Sequence, residues 1–176
     1  MVVKLPGVVS GEQIRERIEA DRALITGWLD LEQQIQPNGF DLTLAEIQRH
    51  IGKGAIGISN AKRILPELEQ VDFDSDGFAE LDPGIYHVTY NEVVSLPNDL
   101  MALGRPRSSL NRSGVTIHTA VWDAGYTGRS TSLMAVLNPA GFRVERNARV
   151  LQLVFFGLSV QAEEGYRGIY QGENVP

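Results

Sequence analysis

The chain contains no cysteine in 176 residues. That excludes disulfides, thiolate metal sites, a cysteine nucleophile and a zinc deaminase of the Cys/His type. It also has no apolar run near the roughly 18 residues that a membrane span needs. The opening MVVKLPGVVSGEQ lacks the long apolar core of a secretion signal. Membrane association is not expected, and an intracellular, cytoplasmic location is the default expectation. Positive charge is the minority sign, 16 basic against 22 acidic residues for a net −6, which argues against general nucleic-acid binding. What is present is a globular composition, 43% apolar and 22% charged. The length suits one domain over 1–176, because no segment has the composition of a linker. Gly 18 and Pro 8 imply many turns but follow no repeat period.

The net charge hides an asymmetry. Segment 105–167 holds eight of the 16 basic and four of the 22 acidic residues, a local +4 against −10 for the remainder. A compact anionic ligand would meet a favourable field there while the protein as a whole stays acidic.

Ser10 with Gln13 fits a capping box, and Ile14 and Ile18 fall on one face, which predicts a helix over about 10–21. The periodicity then shortens. Ala23–Ile25, Phe40/Leu42/Leu44, Tyr86/Val88, Val93/Val94, Val115/Ile117, Leu133–Leu137 and Val150–Phe156 are short runs rich in β-branched or aromatic residues. Turn signals such as Pro37-Asn38-Gly39, Asp82-Pro83-Gly84, Pro97-Asn98 and Asn138-Pro139 separate them. The pattern predicts a mainly β chain, a distorted barrel or jelly roll, with one or two short helices. A second helix is expected over about 59–69, against the objection of Pro66.

Three motif matches carry little. Gly52-Lys53-Gly54-Ala55-Ile56-Gly57 fits GxGxxG, but a dinucleotide site needs a strand before it and a long helix after it, and a loop is the better reading. Asp72 to Gly77 resembles half a calcium loop, yet Pro83 stands where the bidentate glutamate belongs, which leaves an acidic turn. Asn111-Arg112-Ser113 fits a glycosylation sequon by chance, given no secretion signal.

The informative stretch is 105–129, RPRSSLNRSGVTIHTAVWDAGYTGR. Arg107 and Arg112 flank Ser108 and Ser109; guanidiniums supply planar charged forks for phosphate, and small serines let backbone N–H groups approach. The bland alternative is a basic turn with a helix cap. Asp123 follows, between aromatics and ahead of a Gly-bounded turn. A carboxylate near arginines stays ionised and can hold and deprotonate a water; the alternative is an Asp that caps a turn.

Five pieces in order, IQPNGFDLTL (35–44), RPRSSLNR (105–112), HTAVWDAGYTGR (118–129), NARVLQLVFF (147–156) and GYRGIYQGE (165–173), resemble the motifs of the dUTPase/dCTP-deaminase superfamily, especially its archaeal dUTPase branch. The resemblance implies a homotrimer with active sites between subunits, dUTP as substrate, and Mg²⁺ held mainly by the triphosphate. It implies phosphate contacts from Arg107, Ser108, Ser109, Arg112 and Gln152, and a water-activating Asp123. Backbone groups around His118–Trp122, including Ala120, Val121 and Trp122, would meet the base, and Tyr126 would pack on the deoxyribose. Tyr166, Tyr170 and Gln171 belong to a C-terminal segment, 165–176, that closes over the nucleotide. Asp41 would support the site or the metal's surroundings. Each residue also has a plainer reading: Gln152 facing solvent, Tyr166 and Tyr170 as tail packing, and Asp41 as a turn residue; Arg143, Arg146 and Arg149 read as a solvated face, with the alternative that one reaches a neighbour's phosphate in a trimer. His118 is given no catalytic role.

The superfamily also includes dCTP deaminases, which carry a glutamate ten positions after the Asp; here that position is Leu133. Leucine cannot move a proton, so hydrolysis of dUTP to dUMP and pyrophosphate is expected and deamination is the disfavoured alternative. Glu173 stands where deaminase relatives often carry glutamine, and a carboxylate near a triphosphate has no evident role.

Overall fold

The computed structural model describes residues 7–20 and 23–175. The helix expected near the start runs over Gly11–Ile18; residue 21 of the expected span, and the first six residues read for a signal, lie outside the described residues. Ser10 Oγ accepts from the Gln13 N–H at 3.3 Å and Ser10 N–H donates to Gln13 Oε1 at 3.1 Å, closing the box. Ile14 and Ile18 turn into the core.

The rest is mainly antiparallel sheet, as the alternation of short apolar runs predicts. The largest sheet runs in the order Val121–Trp122, Leu100–Pro106, Arg149–Gly157, Gly39–Ile51, Gly84–Tyr90, Thr131–Val136, Val115–His118. Gly39–Ile51 is its backbone. Its first half pairs with Arg149–Gly157 and its second half with Gly84–Tyr90, with a register shift between Leu44 and Glu46. Such an irregularity bends and twists a long strand, which curls the sheet around its apolar face. That face buries Phe40, Leu42, Leu44, Ile47, Val88, Tyr90, Met134, Leu151, Leu153 and Phe155 completely. A small second sheet joins Ile25–Thr26, Val93–Ser95 and Thr127–Gly128.

The helix expected over 59–69 does not form. Ser59 caps a single 3-10 turn, Asn60–Lys62, by accepting from the Ala61 N–H at 3.3 Å. Pro66 then removes a donor and fixes its φ, and the chain continues extended as Glu67–Gln70, paired with the end of Gly39–Ile51. Short helices occur instead at Leu31–Gln34 and Ser108–Arg112. The GxGxxG stretch begins just after the strand that ends at Ile51, with Gly52 at φ +86°, and no long helix follows it. In the acidic turn, Asp74 Oδ1 accepts from the N–H groups of Asp76 and Phe78 at 3.0 and 2.8 Å. The Phe78 contact is the main cause that holds its carboxyl below the usual range. Among the described residues no group of three or more His, Asp or Glu could hold a metal, and no helix is long and apolar enough to cross a membrane.

Candidate active site

A cavity of about 310 Å³ opens beside the Asp123 turn, lined by Ala120, Val121, Trp122, Asp123, Tyr126, Ser130, Thr131, Tyr166, Tyr170 and Glu173. The turn forms because Gly125 takes φ +81° and Tyr126 N–H donates to the Asp123 carbonyl at 3.1 Å. The backbone, not the carboxylate, closes it, and Asp123 stays exposed. Trp122 is buried and its indole N–H donates to Ser130 Oγ at 2.9 Å, which fixes one wall. Tyr126 is 5% exposed; its ring meets Tyr166 edge-on at 5.7 Å and its hydroxyl donates to Glu173 Oε1 at 2.8 Å. The wall carries two carboxylates and, among the described residues, no cation. A triphosphate would be repelled there, whereas an uncharged base and sugar would not.

The tail provides the other side. Tyr166 N–H donates to the Ala124 carbonyl at 2.8 Å, and Gly172 N–H to the Thr127 carbonyl at 2.7 Å. Gln171 accepts from the Thr127 N–H at 3.0 Å and donates to the Gly125 carbonyl at 3.0 Å. Gly125 and Gly165 meet closely: a Cβ on Gly125 would lie 2.5 Å from Gly165 Cα. The tail is therefore docked on the turn of its own chain. Gln171 spends both ends of its amide holding it there, a role the sequence reading did not give it.

A second cluster surrounds Asp41. This carboxylate is 1% exposed; its Oδ2 lies 3.2 Å from Arg107 Nε and 3.4 Å from Arg149 Nη1. Burial pushes its carboxyl above the usual range, and the two guanidiniums pull it back in part. Oδ1 is buried with no hydrogen-bond partner. Gln152 lies directly opposite Asp41 on one side and Arg105 on the other. The bare Cα of Gly39 gives the Gln152 amide its room, since a Cβ there would sit 2.9 Å from Nε2. Ser108 and Ser109 open the Ser108–Arg112 helix with exposed side chains, and Arg112 closes it. Asp41 and Gln152 are thus neither a turn residue nor an isolated solvated amide.

The structure separates what the sequence reading placed together. No ion pair among the described residues involves Asp123, and neither Arg107, Ser108, Ser109, Arg112 nor Gln152 lines its cavity. Of the arginines expected to keep Asp123 ionised, Arg107 turns to Asp41 instead. Arg149, first grouped with a solvated face, belongs to this cluster. Arg143 pairs with Glu80 at 2.9 Å and Arg146 lies over the Phe73 ring at 4.6 Å, so those two are structural.

Sequence reasoning missed two supports. Glu92 is fully buried; it accepts from Gln34 Nε2 and Thr43 Oγ1, each at 2.6 Å, and from the Thr43 N–H at 2.9 Å. Gln34 Nε2 also donates to the Asp41 carbonyl at 2.9 Å, so this group fixes the backbone beneath Asp41. Desolvation raises the Glu92 carboxyl above its usual range. The only available signal was an acid at the start of an apolar run, which reads as a turn. Leu133 lies across the sheet from His87 on one side and His118 on the other.

A family model described as dCTP deaminase-like matches residues 8–158. A Methanosarcina mazei protein named probable deoxyuridine 5'-triphosphate nucleotidohydrolase is 48% identical over 168 residues, 96% of this chain and 98% of its own. An Archaeoglobus fulgidus protein of the same name is 49% identical over 168 residues, with the same coverage of both chains. The 2'-deoxycytidine 5'-triphosphate deaminase of Agrobacterium tumefaciens superposes with a TM-score of 0.66 at 23% identity, over 86% of this chain. This chain covers 48% of that structure, about half its length, and the likeness is one of fold. With residues 8–158 matched and two archaeal relatives aligned almost end to end, the chain belongs to the dCTP deaminase-like family.

Proposed function

We propose that the protein hydrolyses dUTP to dUMP and pyrophosphate, in a homotrimer whose sites form between subunits. The observation that carries this is the division of the chain into a cation-free Asp123 cavity and a separate arginine cluster. One part suits an uncharged nucleoside and the other suits phosphates, so a complete site needs two copies. The archaeal relatives named as nucleotidohydrolases give the substrate.

Base and sugar enter the cavity, with the backbone of Ala120, Val121 and Trp122 against the base and Tyr126 beneath the deoxyribose. Arg107, Ser108, Ser109, Arg112 and Gln152 of a neighbouring copy hold the phosphates. Asp123 orients a water toward the α-phosphorus and accepts its proton as the P–O bond forms and the pyrophosphate leaves. Tyr166, Tyr170 and Gln171 keep the tail over the cavity. Asp41, buried and faced by Arg107 and Arg149, supports those arginines rather than a metal, so Mg²⁺ would be held by the triphosphate itself. It would neutralise phosphate charge. The reading takes the chain as one domain over 1–176 and places the reaction in the cytoplasm.

The test is a product assay with dUTP, dCTP and UTP side by side, with and without a chelator. Pyrophosphate and dUMP from dUTP, lost on chelation and restored by Mg²⁺, are expected. No release from dUTP overturns the reading. A second reading, dCTP deamination, has one observation in its favour, the match to a dCTP deaminase-like family model, although neither Leu133 nor its register partner His118 lines the cavity. Ammonia with dUTP or dUMP from dCTP would establish it.

A further inference from the structure

We propose that Glu173 is a positioning residue that locks the Tyr126 ring, and the tail with it, into the wall of the Asp123 cavity. The inference rests on the nucleotide reading above and adds a residue to which that reading gave no role. Tyr126 has two anchors: the edge of Tyr166 at 5.7 Å and the Glu173 carboxylate, 2.8 Å from its hydroxyl. Packing confines the ring, which is 5% exposed, and the carboxylate adds a directional tie at its hydroxyl that packing alone does not supply. Discrimination against a 2'-hydroxyl needs that fixity, because misplacement of about 1 Å can cost about 10²-fold in rate.

The surroundings are shaped for this contact. Gly128 has no side chain where one would collide: a Cβ there would sit 2.9 Å from Tyr126 Cζ and 3.2 Å from Glu173 Cγ. The backbone on each side is paired, Arg129 N–H to the Glu173 carbonyl at 2.9 Å and Gly172 N–H to the Thr127 carbonyl at 2.7 Å. Asn174 Nδ2 donates to the Arg129 carbonyl at 2.9 Å. Glu173 is half-buried, and burial with the carboxylate beside it pushes the Tyr126 hydroxyl up, so the phenol keeps its proton and donates it. A carboxylate here does not meet the triphosphate; it meets the sugar-side tyrosine.

The experiment compares Glu173→Ala, Glu173→Gln, Tyr126→Phe and the double variant Tyr126→Phe/Glu173→Ala in the full chain. Two quantities are read: hydrogen exchange at the Arg129 and Gly172 amides without nucleotide, and the ratio of kcat/KM for dUTP over UTP. Glu173→Ala should speed exchange and lower the ratio, each about 5–30-fold, which is about 1–2 kcal/mol. Tyr126→Phe should do the same, the double variant no more than either, and Glu173→Gln should recover most of the loss because its amide oxygen still accepts. Additive effects, or wild-type exchange and ratio in Glu173→Ala, overturn the lock. If no variant, nor the wild type, releases pyrophosphate, the substrate reading fails while amide exchange still decides whether the lock exists.

Discussion

Asp123 sits on a turn pinned by its own carbonyl, in a wall that supplies no counter-charge. Asp123→Asn should keep dUTP binding and lose turnover by about 10²–10⁴-fold, the usual worth of a general base. Calorimetric titration beside a pyrophosphate assay checks this, and near-normal turnover would remove Asp123 from the mechanism. Tyr126→Ala should relax discrimination against UTP, read as competition between dUTP and UTP; an unchanged ratio would discredit the packing of its ring on the sugar. At this scale Asp123, Tyr126 and Trp122 were legible because they stand in one short motif. The partners were not. Glu173 lies 47 residues from Tyr126 and Glu92 lies 58 from Gln34, and only the folded chain brings such pairs together.

Elements position these groups, and two can be tested. A side chain on Gly125 would be strained at φ +81° and would strike Gly165 and Tyr166. Gly125→Ala should therefore cost more than about 1 kcal/mol and release the tail, seen as faster proteolytic loss of the C-terminal residues. The Glu92 carboxyl is raised by desolvation above the usual 4.5, so its contribution is greatest below that value and fades as pH rises through the raised one. Glu92→Gln should cost roughly 1–3 kcal/mol, because an amide cannot accept from Gln34, Thr43 Oγ1 and the Thr43 N–H together. The difference from wild type should shrink as pH rises from about 4.5, as read by urea unfolding across pH. Most strands were legible from β-branched alternation. Leu100–Pro106 was not, since its LMALGRP sequence carries no β-branched residue. The false helix over 59–69 came from weighing a Ser cap above Pro66, and the proline prevailed.

For the whole molecule, the five-motif order made the family legible, and the curled sheet agrees with it. What one sequence cannot display is that its motifs fold into two clusters, because spacing along a chain says nothing about which surface a turn faces. A composite site predicts complementation. Asp123→Asn and Arg107→Ala chains, each inactive alone, should regain part of the wild-type rate when co-assembled, because some interfaces then unite an intact carboxylate with an intact arginine. Mixed assemblies as inert as their parents would mean that each chain works alone. The mixed assemblies are read by mass and by pyrophosphate release.

The opposite signs of the two clusters have a consequence for handling the enzyme. In the assembly proposed above, an acidic hollow on one copy would meet a basic ridge on the next, drawn together by a field that dissolved ions weaken within about 8–10 Å. At low protein concentration, added sodium chloride should quench turnover well before it loosens the sheet, so buffer strength alone would set how many chains are at work.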